Sequence, residues 1–247
     1  MIHCEFPSRS NHARLLSFRH SGGVEVRMPN MTSRVVPLHR ETLREGVYSR
    51  LCELILHGGI VPGESMTVAS LAEAFGVSPM PVREALTRLS AAGALTVISG
   101  RTVGVPNLTR DRLDDLRRVR REIEPMAADW AAQRATPAFS VDLEDCFSSL
   151  LASEAASDGK LYIEANYAFH FCIYRQAESP TMLAIINDLW LQVSPYLHLL
   201  RESGNFNLSN RHHKQVFDAL VEGSGSRART AIRNDIDDAY DGLARLL

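Results

Sequence analysis

Residues Val68–Ala92 read VASLAEAFGVSPMPVREALTRLSAA, and this stretch decides the fold. Leu71 and Phe75 supply the apolar contacts of a short helix running from Val68 to Ala74. Gly76 follows where the chain must turn sharply, and glycine takes left-handed backbone without a Cβ clash. Ser78 is a helix N-cap residue type, and Pro79 fits the first helical position, where no N–H partner is needed. Pro81 is tolerated for the same reason, because first-turn donors have no intrahelical acceptor. Val82, Ala85, Leu86 and Leu89 then draw a narrow inward stripe, and Gly93 closes the second helix. Two short helices about a glycine turn predict a helix-turn-helix.

Working outward supplies the rest of that domain. From Glu41, Leu43, Val47, Leu51, Leu54 and Ile55 recur at helical spacing up to His57, and Gly58-Gly59 stops them. Val61-Pro62-Gly63-Glu64 makes a turn. Downstream, Leu95–Ile98, a Ser99-Gly100 turn and Arg101–Val105 read as a β-hairpin that Pro106 ends. Three helices and a two-stranded wing outline a winged helix over 40–107. Beyond Arg110 the pattern is helical, over 110–134, 138–156, 160–177, 181–201, 209–222 and 225–246, with no β signal of useful length. The expected class is therefore mainly α: an N-terminal winged helix-turn-helix followed by an all-α bundle over 110–247. Residues 1–39 lack periodicity and read as a disordered arm or as a misassigned start ahead of Met28 or Met31.

Composition narrows the class of function. A hydrophobic fraction of 45% and a charged fraction of 23% fit an ordinary globular protein. No run of about 18 apolar residues is present, so no membrane span is expected. The N-terminus has no apolar core of a secretory signal. Cys4, Cys52, Cys146 and Cys172 form no CxxC pair and read as reduced thiols of a cytoplasmic protein. HExxH, GxSxG and phosphate-binding glycine loops are absent, so an enzyme is not expected. The segment 41–106 holds five Arg against six Glu, so broad positive charge does not carry a nucleic-acid reading. The pattern does. A helix-turn-helix sets its second helix in the DNA major groove, and the outward positions there are Ser78, Met80, Arg83, Thr87 and Arg88. Arginine is the bidentate partner of guanine O6 and N7, which places base reading on Arg83. Ser99, Gly100, Arg101 and Thr102 form a polar wing tip suited to phosphate or a minor-groove edge.

In the bundle, Asn166 and His170 lie one turn apart on one helix, with His213 and Asp235 on the last two. Bundles build metal sites from facing helices, and two imidazoles with a carboxylate suit Zn, Ni, Mn or Fe(II), with Asn166 adding a weaker amide oxygen. A polar pocket that binds an effector without metal is the competing reading. His212 is offset from His213 by about 100° and faces another way. Arg120 has two readings of equal weight: a bidentate partner for an effector carboxylate, or an intrahelical ion pair with Glu124. Trp190 and Tyr196 read as packing.

Pro62-Gly63-Glu64 together with Leu71-Ala72-Glu73-Ala74-Phe75-Gly76-Val77-Ser78-Pro79-Met80-Pro81-Val82-Arg83-Glu84-Ala85-Leu86-Thr87-Arg88-Leu89 resembles the GntR family of bacterial regulators. The helical second half is similar to the FCD ligand-binding domain of its FadR subfamily, so the likeness spans about 43–247. The resemblance implies a homodimer, a short palindromic double-stranded DNA operator, and control by a small-molecule effector, with carboxylates favoured. Family members often carry arginine at the position of Ala69, so the operator of this chain rests more on Arg83. The resemblance also implies a metal set of Asp and His one turn apart and two further His. Here Asn166, His170, His213 and Asp235 occupy those places, which relocates the carboxylate and keeps one negative charge.

Overall fold

The computed structural model describes residues 40–100, 102–202 and 206–247. The arm 1–39 and the wing residue Arg101 lie outside the described residues. Helix α1 (Arg40–Leu56) leads into strand β1 (Ser65–Thr67), α2 (Val68–Phe75) and α3 (Pro79–Ala91). Strands β2 (Thr96–Ser99) and β3 (Thr102–Gly104) complete the winged helix. Six helices follow: α4 (Arg110–Gln133), α5 (Pro137–Ala155), α6 (Gly159–Gln176), α7 (Pro180–Glu202), α8 (Phe206–Val221) and α9 (Gly225–Ala244). The fold is mainly helical, an N-terminal helix-turn-helix ahead of an α-helical domain. Among the described residues no helix is long and apolar enough to cross a membrane.

The turn chemistry acts where the residue types place it. Gly76 ends α2 with φ 64 and ψ 34, left-handed backbone that sends the chain straight into α3. Pro79 opens α3, and Ser78 precedes it in extended backbone without a side-chain cap bond. Val82, Ala85, Leu86 and Leu89 are all buried, against Val47, Leu51 and Ile55 of α1. Fully burying a leucine such as Leu51 contributes roughly 1.5–3 kcal/mol, so this stripe holds the small domain together.

The wing holds three strands rather than two. β1 pairs antiparallel with β3, setting Ser65 opposite Gly104, and β3 also pairs with β2, giving the order β1-β3-β2. β1 is three residues long, too short for alternation to register in sequence. Its last residue, Thr67, also caps α2 by accepting the Ser70 N–H at 3.1 Å. In the bundle, helix starts sit at polar caps rather than at the first periodic residue. Thr136 accepts from Phe139 and starts α5 at Pro137, while Asp158 accepts from Lys160 and Leu161 and starts α6 at Gly159.

Two prolines sit inside long helices, Pro125 in α4 and Pro195 in α7. Each removes one intrahelical hydrogen bond. The carbonyl that Pro125 leaves without its helical donor belongs to Arg121, and Arg233 of α9 donates its Nε to it at 3.2 Å. Among the described residues, hydrogen bonds from the bundle reach the winged helix at Gly93 and Pro106. Arg112 donates to Gly93 O at 2.7 Å and to Gln192 at 3.3 Å, and Tyr196 donates its hydroxyl to Pro106 O at 2.6 Å.

Candidate functional site

On the winged helix, Ser78, Met80 and Arg83 are exposed together at the N-terminal end of α3. Met80 keeps 57% of its surface open. Among the described residues the Arg83 guanidinium has no hydrogen-bond or ion-pair partner. The next turn is different. Thr87 donates its hydroxyl back to Arg83 O at 2.8 Å. Arg88 pairs with Glu45 at 2.8 Å and lies 3.6 Å over the Tyr48 ring, docking α3 on α1. Arg88 is thus exposed but engaged, which sequence spacing does not reveal. Ser99 and Gly100 are exposed at the wing tip, and Thr102 is half-buried in β3. Ala69 is exposed in the first turn of α2, where it offers no donor.

The bundle holds a second, buried site. Helices α6, α8 and α9 bring His170, His213 and Asp235 together, all three buried. The two Nε2 atoms lie 3.1 Å apart. Each is 3.4 Å from an Asp235 oxygen, His170 from Oδ2 and His213 from Oδ1. The hydrogen bonds behind them decide where the protons sit. Tyr174 donates to Glu124 Oε2 at 2.7 Å, so its oxygen can only accept from His170 Nδ1 at 3.1 Å. Asn210 Oδ1 likewise accepts from His213 Nδ1 at 3.2 Å. Both rings therefore carry their proton on Nδ1 and turn an Nε2 lone pair toward Asp235. Two lone pairs facing one another beside a carboxylate repel unless a cation or a proton lies between them. Burial, only partly opposed by Asp235, lowers the His213 pKa from 6.5 to about 4, so His213 keeps its Nε2 lone pair at neutral pH. The donor set fits a divalent transition metal.

Behind this cluster lies a closed polar network. Glu124 is fully buried and accepts from Arg120 at 2.5 and 3.2 Å, from Tyr174, and from the Trp190 indole at 3.2 Å. Burial opposes the Arg120 charge, but Glu124 more than offsets it and keeps the guanidinium pKa above its usual value. Burial, with Glu124 adding to it, pushes the Tyr174 hydroxyl well up. The ion pair with Glu124 is therefore present, and Arg120 also lines the cavity. Buried, the pair is not the weak surface contact that its spacing suggests.

The cavity holds about 100 Å³ and is lined by Arg120, Asn166, Tyr167, His170, Trp190 and Asp235 among others. Asn166 is half-buried on its wall, one turn before His170. Trp190, read as packing, is packed and also a wall residue and donor. His212 turns away, its Nε2 2.5 Å from Asp238 Oδ2, as its offset predicts. Tyr174 and Asn210 were missed, although Tyr174 stands four residues beyond His170, and Glu124 was read only as a partner of Arg120.

Helix α7 serves both halves of the chain. Trp190, Ser194 and Leu197 line the cavity, while Gln192 and Tyr196 hold Arg112 and Pro106. Leu56, at the end of α1, also reaches the cavity wall. His57 meets the edge of Tyr167 at 5.3 Å. Gly58, at φ 75, lies so close to His198 that a Cβ there would overlap the imidazole.

Residues 43–105 match the family described as bacterial regulatory proteins, gntR family, and residues 115–238 match the FCD domain. The chain is 34% identical over 177 residues to the HTH-type transcriptional regulator McbR of Escherichia coli K12, covering 72% of this chain and 80% of that protein. It is 24% identical over 216 residues to the HTH-type transcriptional regulator LutR of Bacillus subtilis 168, covering 77% and 96%. The solved E. coli McbR/YncC structure superposes with a TM-score of 0.76 at 28% identity, over 83% of this chain and 98% of that one. A regulator from Rhodococcus sp. RHA1 shares the fold, with a TM-score of 0.71 at 19% identity over 83% and 99%.

Proposed function

This chain belongs to the GntR family of bacterial regulatory proteins and carries an FCD domain, and from that membership we propose a metal-assisted, effector-controlled homodimer that reads a palindromic operator in the cytoplasm. The chain is a DNA-binding transcriptional regulator with an FCD effector-binding domain, not an enzyme. We take 40–107 as the DNA-binding unit and 110–247 as the effector and dimer unit. Arg83 reads a guanine, with Ser78 and Met80 flanking it. Thr87, Arg88, Ser99, Gly100, Arg101 and Thr102 supply backbone and groove-edge contacts.

The observation that carries the effector half is the pair of Nε2 lone pairs converging with Asp235 at the wall of the cavity. His170, His213 and Asp235 would hold Zn, Ni, Mn or Fe, with Asn166 close by as an additional oxygen donor. A bound metal would act as a Lewis-acidic anchor for effector oxygens. Arg120 spends two of its five N–H groups on Glu124 and keeps others for an effector carboxylate. Filling the cavity acts on α7, whose other face holds the DNA-binding unit, and so biases the spacing of two half-site readers.

Calorimetric titration of chelator-stripped protein with Zn²⁺, Ni²⁺ and Mn²⁺ tests the centre. One metal per chain is expected, with at least a hundredfold weaker binding in His213→Ala. Equal heats in the wild type and the variant would refute it. Small carboxylates should then raise the melting temperature more in metal-loaded protein than in stripped protein.

A further inference from the structure

Helices α5 and α6 form an antiparallel hairpin closed by a tight turn in which Ser157 takes φ 54. Its register is fixed independently at two levels. The Phe147 and Phe169 rings meet at 6.0 Å, and Glu154 and Tyr162 converge on Asn210 nearer the turn. Cys146 and Cys172 come next along the same seam, one on each helix. The two thiols lie close enough to influence each other, and both are half-buried at the edge of the core. Cys52 differs: it is buried in the winged helix. Two thiols facing each other across packed helices with solvent access have the arrangement of an attacking and a resolving cysteine.

We infer that Cys146 and Cys172 form a reversible disulfide modification site, closed by hydroperoxides and opened by thiols. The neighbouring Cys172 thiol lowers the Cys146 pKa to about 7; burial and the nearby Asp142 and Asp145 oppose this, and Arg175 supports it. Cys146 is accordingly the attacking thiolate. Its sulfur attacks the terminal peroxide oxygen, the O–O bond breaks, and the departing alkoxide takes up the proton that Cys146 released. Cys146 is then a sulfenic acid. The Cys172 sulfur attacks it, the S–O bond breaks, and the hydroxide leaves with the Cys172 proton as water. Two thiols and one hydroperoxide thus become one disulfide, one alcohol and one water, both electrons passing to the peroxide. The bond would clamp α6 to α5 two residues beyond His170.

Intact mass spectrometry of the full chain treated with stoichiometric cumene hydroperoxide tests this. A loss of 2 Da reversed by a phosphine reductant is expected, with a cross-linked peptide joining Cys146 to Cys172 after non-reducing digestion. Cys52→Ser should retain both signals, and Cys172→Ser should leave a dimedone-reactive sulfenic acid on Cys146. Cys146→Ser should give neither the cross-link nor the dimedone adduct. A wild type that gains 32 Da on Cys146 without the cross-link, or that links through Cys4 or Cys52 instead, overturns the inference.

Discussion

Arg83 and Arg120 show two regions of one molecule using one residue type in opposite ways. Arg83 stands exposed on α3, with no partner among the described residues. Arg120 is buried in α4, bound bidentately to a fully buried carboxylate that also accepts from Tyr174 and Trp190. An unengaged exposed arginine adds little to folding and keeps its hydrogen bonds for a ligand. A buried one is bound to its partner, which cannot be removed without leaving a charge in low dielectric. The DNA-reading surface and the bundle centre should therefore separate experimentally, one losing affinity and the other stability.

The sharpest way to break that contrast is Glu124→Ala. It leaves the Arg120 charge uncompensated and the Tyr174 and Trp190 donors unsatisfied, so a loss of about 3–5 kcal/mol in urea unfolding is expected. A loss under about 1 kcal/mol would mean the network is dispensable.

The next effect is on pH. In metal-free protein, burial lowers His213 from 6.5 to about 4, so between those values the unfolded chain binds more protons than the folded one. Stability should be fully present above pH 6.5 and fall as pH drops toward 4. This contribution reaches about 3 kcal/mol at the lower end, at 1.36 kcal/mol per pKa unit. Unfolding midpoints measured from pH 7.5 to 4 should show the slope in wild type and lose most of it in His213→Gln.

The smallest expected changes lie on α3. Arg83→Ala should cost roughly 1–3 kcal/mol of operator affinity and relax one base position, with melting temperature unchanged. Arg88→Ala should do nearly the reverse, losing about 1 kcal/mol of stability with its Glu45 pair and Tyr48 stack while base preference holds. Gel shifts and thermal melts on both variants decide whether the two arginines divide the labour this way.

Periodicity and turn chemistry are local, which is why α3, its Pro79 start, the Gly76 turn and the six bundle helices were readable from the residues. His170, His213 and Asp235 stand out from the residues as candidate ligands on facing bundle helices, and the resemblance strengthens that reading. What escaped depends on tertiary approach. Strand β1 exists because β3 offers it an edge, and Arg88 is engaged because α1 crosses beneath it. Glu124 was legible as a partner of Arg120. Its role as acceptor for three separate side chains depends on α6 and α7 meeting α4 at that point. The Nδ1 proton of His170 follows from the Tyr174–Glu124 bond, and that of His213 from Asn210.

The double duty of α7 has a consequence in plain distance. Trp190 and Ser194 face the cavity, Tyr196 holds the winged helix at Pro106, and Gln192 accepts from the Arg112 that also holds Gly93, all within two turns of one rod. A molecule in the cavity therefore lies about one helix diameter, roughly 10 Å, from the half of the chain that meets DNA. Coupling between sites is often argued across 20–40 Å and a chain of intermediaries. Here the wall of the room and the mount of the reader are the same beam.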